Sequence, residues 1–213
     1  MKKGLSILIN IVLFAIIVVL AVQVIKSIQA PIKFNHEQKL RETKVVERLI
    51  DIRNAQVLYK NASSKYTADF DSLIQFCQTA EIPIVKIVPD PTDTTFTRTI
   101  NDTIGFVKVM DSIKGGRADF NINDLKFVPF SQPQQTFEIE AGTIQRNGIA
   151  IPVFEVRTPY EVYLANPGGA FTDKEWKQRV NNAKAEKESI NRYAGMKVGS
   201  MEEATTDGNW EKL

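Results

Sequence analysis

The chain has 213 residues, a formal net charge of +2 and 43% hydrophobic residues, a globular balance with no electrostatic footprint for nucleic acid. Its single cysteine (Cys77) and single histidine (His36) exclude an internal disulfide and a Cys/His zinc site, and a Ser-His-Asp triad would have to recruit His36 beside the apolar N-terminal segment.

Residues 5–25 carry no charged side chain, and only Ser6, Asn10 and Gln23 among them are polar. A helix needs roughly 20 such residues to cross the hydrocarbon core of a bilayer. The run therefore predicts a transmembrane helix over 5–27, behind a short basic head at 1–4. A cleaved signal peptide fits less well. Cleavage after Ala30 would place Ile28 at −3 and Pro31 at +1, so the segment reads as a signal anchor. Lys26, Lys33, Lys39, Arg41 and Lys44 flank the far side, and a plain positive-inside count would keep them in the cytoplasm. The head holding Lys2 and Lys3 is easily retained, however, and Glu37 and Glu42 interleave the later cations. The predicted orientation is N-terminus in the cytoplasm, with the domain on the extracytoplasmic side of the membrane.

Pro31 can kink a helix without ending it, and a helical pattern resumes over 35–61. Val45, Leu49, Ile52 and Gln56 recur at four-three spacing and form the candidate helix interface. That stripe packs either on its own domain or on a neighbouring helix. The two segments together predict one helix of roughly 55 residues, about 80 Å long, with an amphipathic stalk at 28–62. Beyond it come a small helix over 69–78, capped by Thr67 or Asp69, and strands at 82–88, 103–110, 125–130 and 136–141. Asn147-Gly148 predicts a type I′ hairpin between 142–146 and 149–156, and 160–164 offers one more strand. Thr172 and Glu175 spell a capping box that opens a last helix, which Gly195 should stop. The expected fold class is α+β: a long N-terminal helix, a mostly antiparallel sheet domain (63–204) with a C-terminal surface helix, and a polar tail (205–213) whose Trp210 can dock back.

Chemistry-bearing motifs are sparse. Gly115-Gly116 and Gly168-Gly169 lack the surroundings of a phosphate loop, and 119–124 imitates a calcium loop without its central glycine or closing glutamate. Glu138 and Glu140 share a strand face, but no other reactive group is placed by spacing to converge on them. The reading is therefore no enzyme, no metal and no cofactor. Four triads of aspartate, hydroxyl residue and a third residue stand at Asp71-Ser72-Leu73, Asp93-Thr94-Thr95, Asp102-Thr103-Ile104 and Asp111-Ser112-Ile113. They resemble the acceptor sequon of a bacterial O-glycosylation system, which would make Ser72, Thr94, Thr103 and Ser112 modification sites on an exported domain.

Lys2-Lys3-Gly4 before the apolar helix, the helix end from Leu49 to Tyr59, and the following Lys65-Tyr66 and Phe70-Asp71-Ser72-Leu73 resemble a type IV pilin or type II secretion pseudopilin. The resemblance covers about the first third of the chain and implies leader cleavage between Gly4 and Leu5. It departs at Ile9, where the family carries a glutamate that pairs with a neighbour's amino terminus; Asn10 follows it. A minor subunit can lack that carboxylate. The expected function is a membrane-anchored structural or assembly component of an envelope, secretion or pilus-like machine. Its partners would be the lipid bilayer, other envelope proteins, and its own copies through the N-terminal helix. The alternative is a membrane-tethered, extracytoplasmic ligand-binding module without catalysis, with the 89–101 loop or Gly168-Gly169 at its mouth.

Overall fold

The computed structural model describes residues 2–89, 99–165 and 172–211. Helix α1 spans Lys2–Ser63 and runs through Pro31, so head, membrane segment and stalk are one continuous helix. Its two halves meet different surroundings. An 18-residue window of mean hydropathy 2.7 in the first half is left uncovered by the described residues, and α1 is long and apolar enough to cross a membrane. From Phe34 onward one stripe turns inward, with Val45, Leu49, Ile52, Ala55 and Gln56 wholly buried. The interface stripe expected from the sequence is thus an intramolecular seam: Val45, Leu49, Ile52 and Gln56 are closed inside the chain's own core and leave no surface there for a neighbouring helix.

The remaining elements wrap that half of α1 in an α+β domain. Helix α2 (Phe70–Thr79) starts at Asp69, whose carboxylate accepts from the backbone N–H groups of Asp71 and Ser72. Among the described residues, strands β1 (Glu81–Pro89) and β2 (Thr99–Lys108) pair only with each other, and α3 (Val109–Lys114) follows directly. Strands β3 (Glu138–Arg146), β4 (Ile149–Pro159) and β5 (Gly195–Gly199) form an antiparallel sheet in the order β3-β4-β5. Asn147 (φ 52°) and Gly148 (φ 78°) make the expected tight turn between β3 and β4. The inner face of β4 carries Phe154 and Val156 into the core, where the Phe154 ring lies 4.6 Å from that of Tyr66. α1 packs across β5. Gly199 admits no other residue: its φ is +76°, and a Cβ would stand 2.2 Å from the Phe154 carbonyl oxygen.

The strand expected over 103–110 instead runs Thr99–Lys108, residues 109 and 110 opening α3, and three further expected elements are different. Residues 125–130 are not a strand; a 3-10 turn occupies Ile122–Lys126, and only a single bridge, Phe127 to Thr136, follows. Arg48 from α1 donates to the Asp124 carbonyl and holds that turn. Residues Tyr160–Tyr163 form the short helix α4 rather than a strand. Buried Arg41 donates to the carbonyls of Tyr163 (3.0 Å) and Ala165 (2.5 Å), and the Trp176 indole donates to that of Leu164 (2.6 Å). Those carbonyls are thereby satisfied without a strand neighbour. Helix α5 spans Asp173–Ser189 with the expected capping box, but it ends at Ile190, and Gly195 opens β5 instead of closing the helix. The tail belongs to the domain: Asn209 donates to the Gly195 carbonyl (2.9 Å), Glu211 pairs with Arg53 (2.8 Å), and Trp210 packs on the core.

Candidate functional site

The β1–β2 ribbon begins at the core and then leaves it. Val109 N–H donates to the Ala80 carbonyl (3.0 Å) at its base, and Ile82 still packs against the core. Past that point both faces are rich in apolar side chains, interrupted by Lys86 opposite Asp102 on one and by Thr103 opposite Val85 on the other. Register places Ile82 opposite Val107, Ile84 opposite Gly105 and Val88 opposite Ile100 on one face; Pro83 opposite Phe106, with Val85 and Ile87, lies on the other. Ile104 sits at the irregularity where the register shifts between Ile84 and Val85. Ile87 (68%), Phe106 (65%) and Ile104 (61%) are the most exposed, and Ile84, Val85, Ile100 and Val107 are 37–44% exposed. Taking roughly 200 Å² for a fully exposed large side chain, Val85, Ile87 and Phe106 leave about 350 Å² uncovered on one face, and Ile84, Ile100 and Val107 about 250 Å² on the other. The largest apolar patch of a monomer is typically about 300–600 Å² and often functional.

The ribbon's edges are less inviting than its faces. Hydrogen-bonded and non-bonded pairs alternate along an antiparallel ladder. Ala80 and Val109 bond, so Glu81/Lys108 do not, Ile82/Val107 do, and Pro83/Phe106 fall at a non-bonded position. The N–H that Pro83 lacks would therefore have pointed outward, which blunts the β1 edge against a further strand. The register shift at Ile104 bends the β2 edge. Two apolar faces with guarded edges are suited to side-chain packing rather than strand addition. Charges on the ribbon cancel, Glu81 standing opposite Lys108 and Lys86 opposite Asp102.

A second surface feature is polar. A groove of about 610 Å³ runs beside α1 between Lys44, Glu47, Arg48, Asp51, Arg117 and Asp124. Its charges are engaged with one another. Arg117 makes two bonds to the buried Asp51 carboxylate (2.7 and 3.0 Å) and also donates to the Ile113 carbonyl (2.8 Å), while Lys44 pairs with Glu47 (2.8 Å). The Asp51 partnership raises the Arg117 pKa, and burial lowers that of Arg48. The groove ties loops to α1 and presents no convergent reactive group.

Other sequence candidates take ordinary places. Glu138 and Glu140 both pair with Arg157 (2.8 and 2.9 Å), which also meets Glu155 (3.1 Å), itself bound by Lys197 (3.0 Å). This ladder closes the outer face of the β3-β4-β5 sheet and raises the Arg157 pKa, Glu138 contributing most. Cys77 is fully buried, and desolvation pushes its thiol up to about 12. Among the described residues no group of three or more His, Cys, Asp or Glu is placed to hold a metal ion. Of the four hydroxyls in the glycosylation-like triads, Thr103 and Ser112 are exposed on β2 and α3, and Ser72 is exposed on α2 with its hydroxyl on Asp69 (2.5 Å). Thr94 lies outside the described residues, as do Gly168-Gly169 and most of the 89–101 loop. Gly4 and Leu5 fall within the first turns of α1.

The sequence pattern marked β1 and β2 as strands and missed their exposure. The available signal was Ile82 to Val88 and Ile104 to Val107 being apolar on both faces, a pattern expected of strands covered on both sides. Comparison with known proteins finds no matching family model, no matching curated protein and no matching solved structure.

Proposed function

We propose that this protein is a membrane-anchored assembly subunit of a bacterial envelope machine, of pilin- or pseudopilin-like design, acting through protein–protein contacts. The observation that carries this reading is the β1–β2 ribbon, whose two apolar faces stand in water. Leaving that surface hydrated is costly, and covering it with a neighbour recovers the cost. The neighbour is a second copy of this chain. Packing the Val85, Ile87 and Phe106 face of one copy on that of another would bury on the order of 700 Å² of apolar side chain, which at the roughly 60% apolar share of an interface corresponds to about 1,200 Å² in all, the lower end of the range of a specific interface, and the ribbon's cancelling charges bring no net repulsion between copies. The division of α1 into a bare apolar half and a half that serves as core helix supports the pilin-like part of the reading. In this reading the domain lies in the periplasm and carries its modified hydroxyls at Ser72 and Ser112, while Thr103, opposite Val85 on the ribbon, stays unmodified.

The test is oligomeric state and cross-linking of the full-length protein in detergent. Buried Cys77 stays inert, so Ile87→Cys supplies one reactive site on the ribbon. Cross-linked dimers are expected, and Ile104→Asp with Phe106→Asp should abolish them. A protein that is monomeric throughout, without cross-links, would overturn the reading. Dimers that survive the double aspartate change would place self-association in α1 instead. The mature N-terminus separates the two forms of anchoring: a methylated Leu5 marks the processed, pilin-like route, and an intact Met1 the permanent anchor. Protease added to spheroplasts should digest the domain; protection would place it in the cytoplasm.

A further inference from the structure

Where α1 leaves its apolar segment, Gln23, Lys26, Ala30 and Lys33 follow at three- and four-residue spacings and so share one face. Opposite that face stand the first turns of α5. They are held there by Trp176, which is buried against Phe34 with ring centroids 5.0 Å apart. Between the two helices lies a groove of about 690 Å³, with Lys26 and Lys33 on the α1 wall and Thr172, Glu175 and Arg179 on the α5 wall. Its charged lining is three cations and one carboxylate. Glu175 accepts from the Thr172 backbone N–H (3.1 Å) and hydroxyl (2.9 Å), and the charges of Arg179 and Lys26 also help hold its pKa down. The lining therefore carries a net charge of +2.

The groove's position selects its ligand. The apolar run ends at Ile25, so Lys26 lies where hydrocarbon gives way to headgroups, and Lys33 lies about 10 Å further along the helix. A phosphate between them would sit at the depth where lipid phosphates lie, and acyl chains could continue along the bare apolar face of α1. We propose that this groove binds the headgroup of an anionic phospholipid, with Lys26, Lys33 and Arg179 around the phosphate. Basic pockets beside a membrane helix recognise such headgroups, each cation near the surface contributing about fivefold. A net charge of +2 sets a preference of roughly tenfold or more over a zwitterionic lipid. The site also gives Lys26 and Lys33 a role on the domain side of the bilayer, where a positive-inside count disfavours them. Binding here orients the domain on the membrane and does not depend on the ribbon.

The experiment is native mass spectrometry of the full-length protein released from detergent, with phosphatidylglycerol or phosphatidylcholine of matched chains added. Wild type should retain one phosphatidylglycerol roughly tenfold over phosphatidylcholine. Lys26→Gln with Lys33→Gln and Arg179→Gln should lose that preference, while Lys174→Gln with Lys177→Gln, outside the groove, should keep it. Trp176 fluorescence checks folding; if the triple variant unfolds, Lys33→Gln alone should still cut the preference severalfold. Inorganic phosphate at millimolar concentration should not displace the lipid. Equal retention of both lipids by wild type, an undiminished preference in the groove variants, or displacement by phosphate would each overturn the proposal. Dimerisation through the ribbon is unaffected by any of these outcomes.

Discussion

Leu49 tests whether the second half of α1 is a core element or a detachable stalk. The side chain is wholly buried in the domain core. Leu49→Ala removes the equivalent of about three methylenes, or roughly 2.5 kcal/mol at ~0.8 kcal/mol each. Incomplete collapse of the cavity brings the expected loss to about 3 kcal/mol, within the usual range of about 2–5 for such changes. Alanine is the best helix former, so helix propensity does not add to the loss. For a protein of this size the loss corresponds to a fall in Tm of roughly 6–12 °C. Leu40 lies on the same helix and is 44% exposed; Leu40→Ala should cost less than about 1 kcal/mol. The assay is urea unfolding of the full-length protein in detergent, followed by tryptophan fluorescence. Both tryptophans, Trp176 and Trp210, lie in the domain, so the signal reports the domain alone. A loss for Leu49→Ala below about 1 kcal/mol, or no greater than for Leu40→Ala, would refute the argument and leave α1 as a separate stalk.

The same titration reaches three further groups. Gln56 is buried and bridges the loop after α1, its amide donating to the Thr67 carbonyl (2.7 Å) and accepting from the Thr67 N–H (3.2 Å); Gln56→Ala should cost about 2 kcal/mol, and a neutral result would show that water replaces both bonds. Burial raises the pKa of Glu42 above 4.5, more than the bond from Gln38 and the charge of Lys187 lower it. Between the two pKa values the folded chain binds more protons than the unfolded one, so stability rises as pH falls through that window. Glu42→Gln should therefore stabilise the protein at neutral pH, with an advantage that shrinks on acidification toward and below the ordinary carboxylate value; a constant advantage across pH would contradict this. Cys77, with its thiol pushed up to about 12, should resist maleimide in native buffer and react fully in urea; native labelling at the rate of a free thiol would show that the core opens there.

Local signals determined much of this protein before any tertiary contact was known. A charge-free apolar run defines the exposed half of α1, because a membrane-length helix needs no other part of the chain to specify it. Asp69, Asn147-Gly148 and the Thr172–Glu175 box act within three or four residues of themselves, so helix starts and the β3–β4 turn were legible. The stripe Val45, Leu49, Ile52, Gln56 was legible as a buried face, but not what buries it. Tertiary structure decided that the cover is the chain's own domain, with β5, α2 and α3 lying against α1. It also decided the ends that depend on distant donors: Arg48 reaches 76 residues along the chain to the Asp124 carbonyl, and Arg41 reaches 122 residues to Tyr163. Those bonds hold helical turns at or beside two apolar stretches that read as strands, and they satisfy carbonyls that would otherwise need another partner. The candidate site depended on structure in the same way. Alternating apolar residues in β1 and β2 predict strands, but whether a strand face is covered is a property of everything packed around it, and here the described residues leave both faces open.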